Sequence, residues 1–151
     1  MNKYRVALWS AAAAAGLAVA IASAAGAAGD PVAERQAIMK QVGQTMKEAG
    51  PFVSPATPFD AAKVKALMGT IGADADKLHK LYPPTSKDAP KTEALPKIWE
   101  NKADFDKRLS ELSKLAGDAQ KATSTETFKP AYLAIGGACK SCHDLYRKKP
   151  A

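Results

Sequence analysis

Near its C-terminus the chain reads Gly136-Gly137-Ala138-Cys139-Lys140-Ser141-Cys142-His143-Asp144-Leu145-Tyr146-Arg147. The stretch holds both cysteines and one of the two histidines of a 151-residue sequence. Tyr132, Ile135, Cys139, Cys142 and Tyr146 recur at helical spacing, which makes it the end of an amphipathic helix. On that helix Cys139 and Cys142 project from one face about a turn apart. His143, four residues after Cys139, lies on nearly the same side.

Cys-x-x-Cys followed by His is an attachment signature for c-type haem. Two thiols at that separation can add to the two vinyl groups on one haem edge, and the adjacent imidazole meets the iron from one side. Three rivals fit less well. A thioredoxin-like dithiol starts a helix after a strand, and no strand pattern precedes this one. Zinc needs a fourth ligand, and His79 is the only other histidine. A structural disulfide suits an exported protein, but residues three apart on one helix align poorly for a bridge. The reading is one covalent haem c.

Working back from the motif, three further helices are expected. Asp30 caps the first, Pro31 to Ala49, with a stripe of Val32, Arg35, Met39, Val42, Met46 and Ala49. Thr57-Pro58-Phe59-Asp60 opens the second, whose apolar face runs from Val64 to Tyr82 before Pro83-Pro84 stops it. A connection from Thr85 to Glu100 is too long for a tight hairpin. The third starts near Asn101, with Asp104 as its capping pair, and buries Phe105, Leu109, Leu112, Leu115 and Ala119. The fourth begins among Thr123 to Lys129, which places Pro130 in its first turn. The fold class expected is all-α: a four-helix bundle carrying one covalently attached haem.

The N-terminus is set apart. Lys3 and Arg5 precede an uncharged run from Val6 to Ala22, and small residues follow through Gly29. Residues 1–28 therefore read as a cleaved secretory signal peptide, with the cut between Ala24 and Gly29, and 29–151 as one exported, periplasmic domain with no later membrane segment. Losing Lys3 and Arg5 takes the formal charge from +7 to +5. That surplus is spread along the chain, which excludes a nucleic-acid partner. No Ser/His/Asp set, paired carboxylates or phosphate-binding glycine loop is present, so no enzyme is expected. Lys140, Lys148 and Lys149 suit either docking of an acidic redox partner or plain solvation.

Over its whole mature length the chain resembles the class II c-type cytochromes, meaning cytochrome c′ and the low-spin cytochrome c-556 type. The resemblance rests on Cys139-Lys140-Ser141-Cys142-His143 with Tyr146-Arg147-Lys148-Lys149 behind it. It also rests on Glu34-Arg35-Gln36-Ala37-Ile38-Met39-Lys40 and on Pro96-Lys97-Ile98-Trp99. It implies that Cys139 and Cys142 hold the haem and that His143 is the proximal ligand. It further implies that Arg35 and Gln36 lie near the haem and its propionates, and that Arg147 lies beside the proximal imidazole. For Arg147 the plainer role is a cation complementing the helix C-terminus. Leu81 to Ser86 is expected to pass a haem edge.

Met39 matches the family position that faces the distal side of the iron. Ligation there gives a six-coordinate electron carrier with a raised potential. Without it the iron is five-coordinate and open to a diatomic gas, nitric oxide or carbon monoxide. A methionine on a stripe is most often packing, and Met46 competes for the role. The segment looks more like the c-556 type, and no aromatic side chain in the first helix wedges against the iron. An electron carrier ligated by His143 and Met39, paired with a redox partner protein, is the expectation; family members occur as monomers and homodimers.

Overall fold

The computed structural model describes residues 29–149; the expected signal peptide, residues 1–28, lies outside them. Helix α1 (Pro31–Ala49) starts as its sequence dictates. Asp30 Oδ1 accepts a hydrogen bond from Val32 N at 2.9 Å, and Pro31 takes the first position, where no N–H is needed. Helix α2 (Ala61–Leu78) begins four residues later than Thr57, the expected cap. Asp60 caps it instead, accepting from Lys63 N at 2.9 Å. The aromatic core explains the delay. Phe59 packs on Phe52 and Phe128 with ring centroids 6.2 and 6.0 Å apart, which holds the segment before Asp60 off the helix axis.

A one-turn helix α3 (Lys97–Glu100) precedes α4 (Lys102–Ala119). Asn101 makes no side-chain cap, and Asp104 is no capping partner. Its Oδ2 instead accepts from Arg108 Nε at 2.7 Å and from the Tyr146 hydroxyl at 2.6 Å. Helix α5 (Thr125–Tyr146) opens with a reciprocal cap between Ser124 and Thr127. That box fixes the start early enough to leave Pro130 inside the helix, beyond the first turn, contrary to expectation. The ring sits on the exposed face, clear of the core, so its cost is confined to the helix itself: one missing intrahelical bond and crowding against the preceding turn.

Four long helices form the bundle, and no strand occurs among the described residues. Helix α2 packs on α1 and α4, and α4 packs on α5. Val64, Met68, Ile71, Leu78, Phe105, Phe128 and Ile135 fill the centre. Helices α1 and α5 share no comparable face. The Tyr132 hydroxyl ties them near one end by donating to Met46 O at 3.1 Å, and a cleft separates them beyond it. The buried stripe of α1 is Val32, Arg35, Ile38, Val42, Thr45 and Ala49. Met39 and Met46, expected on it, flank it half-buried and turn towards the cleft.

The long connection after α2 closes one end of this cleft. Leu95 N donates to Tyr146 O at 2.9 Å, Lys148 N to Glu93 O at 2.8 Å, and Ala94 pairs with Arg147 in an isolated bridge. Residues just past His143 are thereby stitched to the connection, which fixes the end of α5.

Candidate functional site

Two adjoining cavities occupy the cleft, of about 440 Å³ and about 270 Å³. The larger is walled by Arg35, Gln36 and Met39 from α1, Tyr82 and Glu93 from the connection, and Phe105, Cys142, His143 and Arg147 from beyond. The smaller is almost wholly apolar and reaches Met46, Leu78, Gly136 and Cys139. Met39, Cys142 and His143 alone line both. All seven residues singled out in the sequence therefore border one continuous space.

Cys139 and Cys142 are free and half-buried. Burial pushes the Cys139 thiol up, and the Cys142 thiol up to about 11. A redox dithiol needs the opposite, a stabilised thiolate at a helix N-terminus. Here the pair sits in the last turns of α5, and the thioredoxin-like reading loses its physical basis. His79 is no fourth zinc ligand either. It sits at the end of α2 beside Asp106 and Ser110 of α4, outside both cavities.

His143 is half-buried in the larger cavity. Burial holds its pKa below the usual value, Arg147 adds to the effect, and Asp144 and Glu93 oppose it. A neutral imidazole is the form that binds metal. Arg147 is exposed, lines the same cavity and donates its backbone N–H to His143 O at 3.1 Å.

Arg35 is 4% exposed. One terminal nitrogen donates to Leu81 O at 2.9 Å and to Ser86 Oγ at 2.8 Å. The other donates to Ser86 O at 3.4 Å and to Thr92 Oγ1 at 2.6 Å. Four of its five N–H donors are thus committed to the connection, and only Nε–H remains. Its planar group also stacks 4.7 Å from the Tyr82 ring centroid. Burial lowers its pKa, and no carboxylate among the described residues pairs with it. Gln36 is exposed and likewise committed, donating Nε2 to Lys91 O at 2.9 Å. That contact secures Lys91 in a left-handed conformation, φ 64°, which costs a non-glycine residue roughly 1–2 kcal/mol.

These features fit a flat, largely apolar group with an anionic edge. A Cβ at Gly43 or Gly136 would meet no protein atom within 4 Å, and both positions line the smaller cavity. Each helical glycine costs about 1 kcal/mol against alanine, and what that keeps is open room between α1 and α5. The buried, uncompensated guanidinium of Arg35 marks the end of the cleft where carboxylates are welcome.

Sequence reasoning missed Phe105, Tyr146 and Arg108 as cavity residues. Phe105 and Tyr146 are visible only as stripe positions, whereas Tyr82 falls in the Leu81 to Ser86 segment expected at a haem edge and does line the larger cavity. Burial pushes the Tyr82 phenol up to about 12, so the folded protein keeps a proton that the unfolded chain sheds near pH 10. The associated stability is full below about pH 10 and is lost as pH rises towards 12, about 2–3 kcal/mol in all. Tyr82→Phe should therefore flatten the alkaline fall in unfolding free energy, measured by guanidinium denaturation from about pH 9 to 11.5. Parallel pH profiles for the two proteins would refute this.

A family model described as Cytochrome C' matches residues 30–147. The chain is similar to cytochrome c′ of Rhodopseudomonas palustris, 40% identical over 121 residues that make up 80% of this chain and 83% of that protein. It is also similar to cytochrome c-556 of the same organism, 34% identical over 140 residues, 89% of this chain and 94% of that one. The solved structure of cytochrome c′ from R. palustris matches with a TM-score of 0.75 at 38% identity, covering 81% of this chain and 98% of that chain.

Proposed function

The chain belongs to the cytochrome c′ family, and from that membership we propose that it is an exported electron carrier whose haem iron is held between His143 and Met39. As in the family, the cofactor is haem c, covalently bound. Bound in the cleft, it supplies one-electron chemistry at an iron whose potential follows axial ligation, burial and nearby charge.

The chain's own residues do the rest. Cys139 and Cys142 tie the group to the last turns of α5 through two thioether bonds. His143, kept neutral by burial and by Arg147, offers a ring nitrogen from the same helix. Met39 offers its thioether sulfur from α1. Tyr82, Ile98 and Phe105 wall the larger cavity beside them. Arg35 sets a fixed positive charge at the carboxylate edge, with Nε–H as its remaining donor. Residues 1–28, read as a signal peptide, take the chain to the periplasm, and no described helix is long and apolar enough to cross a membrane.

One observation carries the reading of Met39. It is the only residue of α1 that borders both cavities, as Cys142 and His143 do from α5. Met46 borders only the smaller one. The apolar space beside Met39 supports a second reading, in which the distal position stays open and takes a diatomic gas. Spectra of the purified protein separate the two. Colour that survives acidic acetone, a low-spin ferric spectrum and a ferrous form that takes up carbon monoxide slowly or not at all are the expected results. A high-spin ferric spectrum with fast uptake would remove Met39 from the iron and leave the gas-binding reading.

A further inference from the structure

Acidic side chains pair off a minority of the cations among the described residues. Lys102 with Asp106, Arg108 with Asp104, Lys114 and Lys121 with Asp118, and Lys140 with Asp144 all meet at 2.6–2.9 Å. Lys140, one of the lysines that the sequence offered for docking, is thus already engaged. At the mouth of the larger cavity several cations without an acid partner come together. Its exposed lining residues are Gln36, Lys40, Glu93 and Arg147, so the cavity opens between α1, the connection and the end of α5. Lys91 stands at this opening, because its carbonyl accepts from Gln36. Lys148 stands there too, because its N–H donates to Glu93 O and its Nζ to Thr92 O at 2.9 Å. None of Lys40, Lys91, Arg147 and Lys148 has a carboxylate partner among the described residues. Glu93 is the one acid lining the opening.

We propose that this rim is the docking face for the acidic surface of a one-electron redox protein. The proposal rests on the cavity being the haem site, since a rim matters for electron transfer only where the cofactor comes nearest the surface. A positive ring around an opening raises the encounter rate of an anionic partner and orients it, and does so most at low salt. Rigidity favours the same use. Hydrogen bonds to α1 and to the α5 tail hold the segment carrying Lys91 and Glu93, so the charges are held in place before the partner arrives. In the exchange one electron leaves the partner's reduced centre, and the ferric haem takes it up to become ferrous; no proton or bond changes hands.

Reduction of the haem-loaded protein by an acidic plant-type [2Fe–2S] ferredoxin, followed by stopped flow, tests this. One variant combines Lys40→Glu, Lys91→Glu and Lys148→Glu at the rim. A control combines Lys47→Glu, Lys65→Glu and Lys129→Glu, exposed positions at the opposite end of the bundle, and changes net charge equally. At low ionic strength the rim variant should react at least about tenfold more slowly than the unmodified protein, and the control within about twofold. The gap should close in roughly 0.5 M salt. Equal slowing of both variants, or a rim variant at the unmodified rate, would overturn the proposal. If the rim variant fails to fold, the salt dependence of the unmodified protein decides: a rate indifferent to salt also overturns it. Failure of the carrier reading looks different, because it shows before any partner is added, as a high-spin ferric spectrum with fast carbon monoxide uptake.

Discussion

Arg35→Leu should lower the unfolding free energy of the haem-loaded protein by about 3–5 kcal/mol, a large part of a typical 5–15 kcal/mol. Two effects compete. Burying a guanidinium without a carboxylate is costly, and leucine removes that cost. Against it stand four hydrogen bonds from a charged donor, each worth roughly 1.5–3 kcal/mol, to Leu81 O, Ser86 Oγ, Ser86 O and Thr92 Oγ1. The loss wins because no leucine atom can replace the donors to two backbone carbonyls in a buried region. The hydroxyls suffer less: Ser86 Oγ also donates to Pro83 O at 2.9 Å, and Thr92 Oγ1 also accepts from Ala94 N at 3.2 Å.

Arg35→Lys separates charge from geometry. An ammonium keeps the positive charge but has three donors and no planar fork, so it should recover only part of the loss. Urea denaturation of the three proteins gives the ranking. If Arg35→Leu cost less than about 1 kcal/mol, the hydrogen bonds to the connection would be incidental to stability.

Arg35 also shows where the sequence was readable and where it was not. Helical periodicity located α1 to the residue, because Asp30, Pro31 and Gly50 act on their immediate neighbours. It placed Arg35 on the inward face, and the family resemblance implied haem carboxylates as its partner. What it could not see is that Ser86 and Thr92, about fifty residues on, take most of its donors. Those bonds depend on how the connection crosses the bundle end, and no local period encodes that path. Pro130 failed for a similar reason. A rule about proline and first turns lost to a Ser124–Thr127 box, which fixes the helix start from outside the proline's reach.

The site was legible where chemistry is compressed into five residues. Cys139, Cys142 and His143 state their geometry by spacing alone on any helix. Met39 was legible as one of two methionines on a stripe. Choosing between it and Met46 requires the offset of α1 against α5, a tertiary quantity set by α2 and α4 lying between them. Phe105 and Tyr146 were invisible as cavity walls because a residue lining a cofactor cleft carries the same apolar signature as one filling a core. With Tyr82 their rings nonetheless form a ladder, Tyr82 to Phe105 at 4.6 Å and Phe105 to Tyr146 at 5.4 Å, that joins the connection to the end of α5.

Met39→Leu is the substitution with the largest expected functional effect. Leucine nearly matches methionine in volume, so packing around α1 should change by less than about 1.5 kcal/mol, and Met39 is only half-buried to begin with. What changes is the chemistry, since a branched hydrocarbon replaces the thioether sulfur. The ferric spectrum should pass from low-spin to high-spin. The midpoint potential should fall by on the order of 0.1 V, within the roughly 0.8 V span that axial ligation commands. Carbon monoxide uptake by the ferrous protein should become fast. Met46→Leu is the matched control: it alters the same smaller cavity without touching the larger one, and should leave all three measurements where they were. An unchanged spectrum and potential in Met39→Leu would reduce Met39 to packing. The same shifts appearing in Met46→Leu alone would move the ligand two turns along α1, and the open cavity beside Met39 would then be the distal pocket itself.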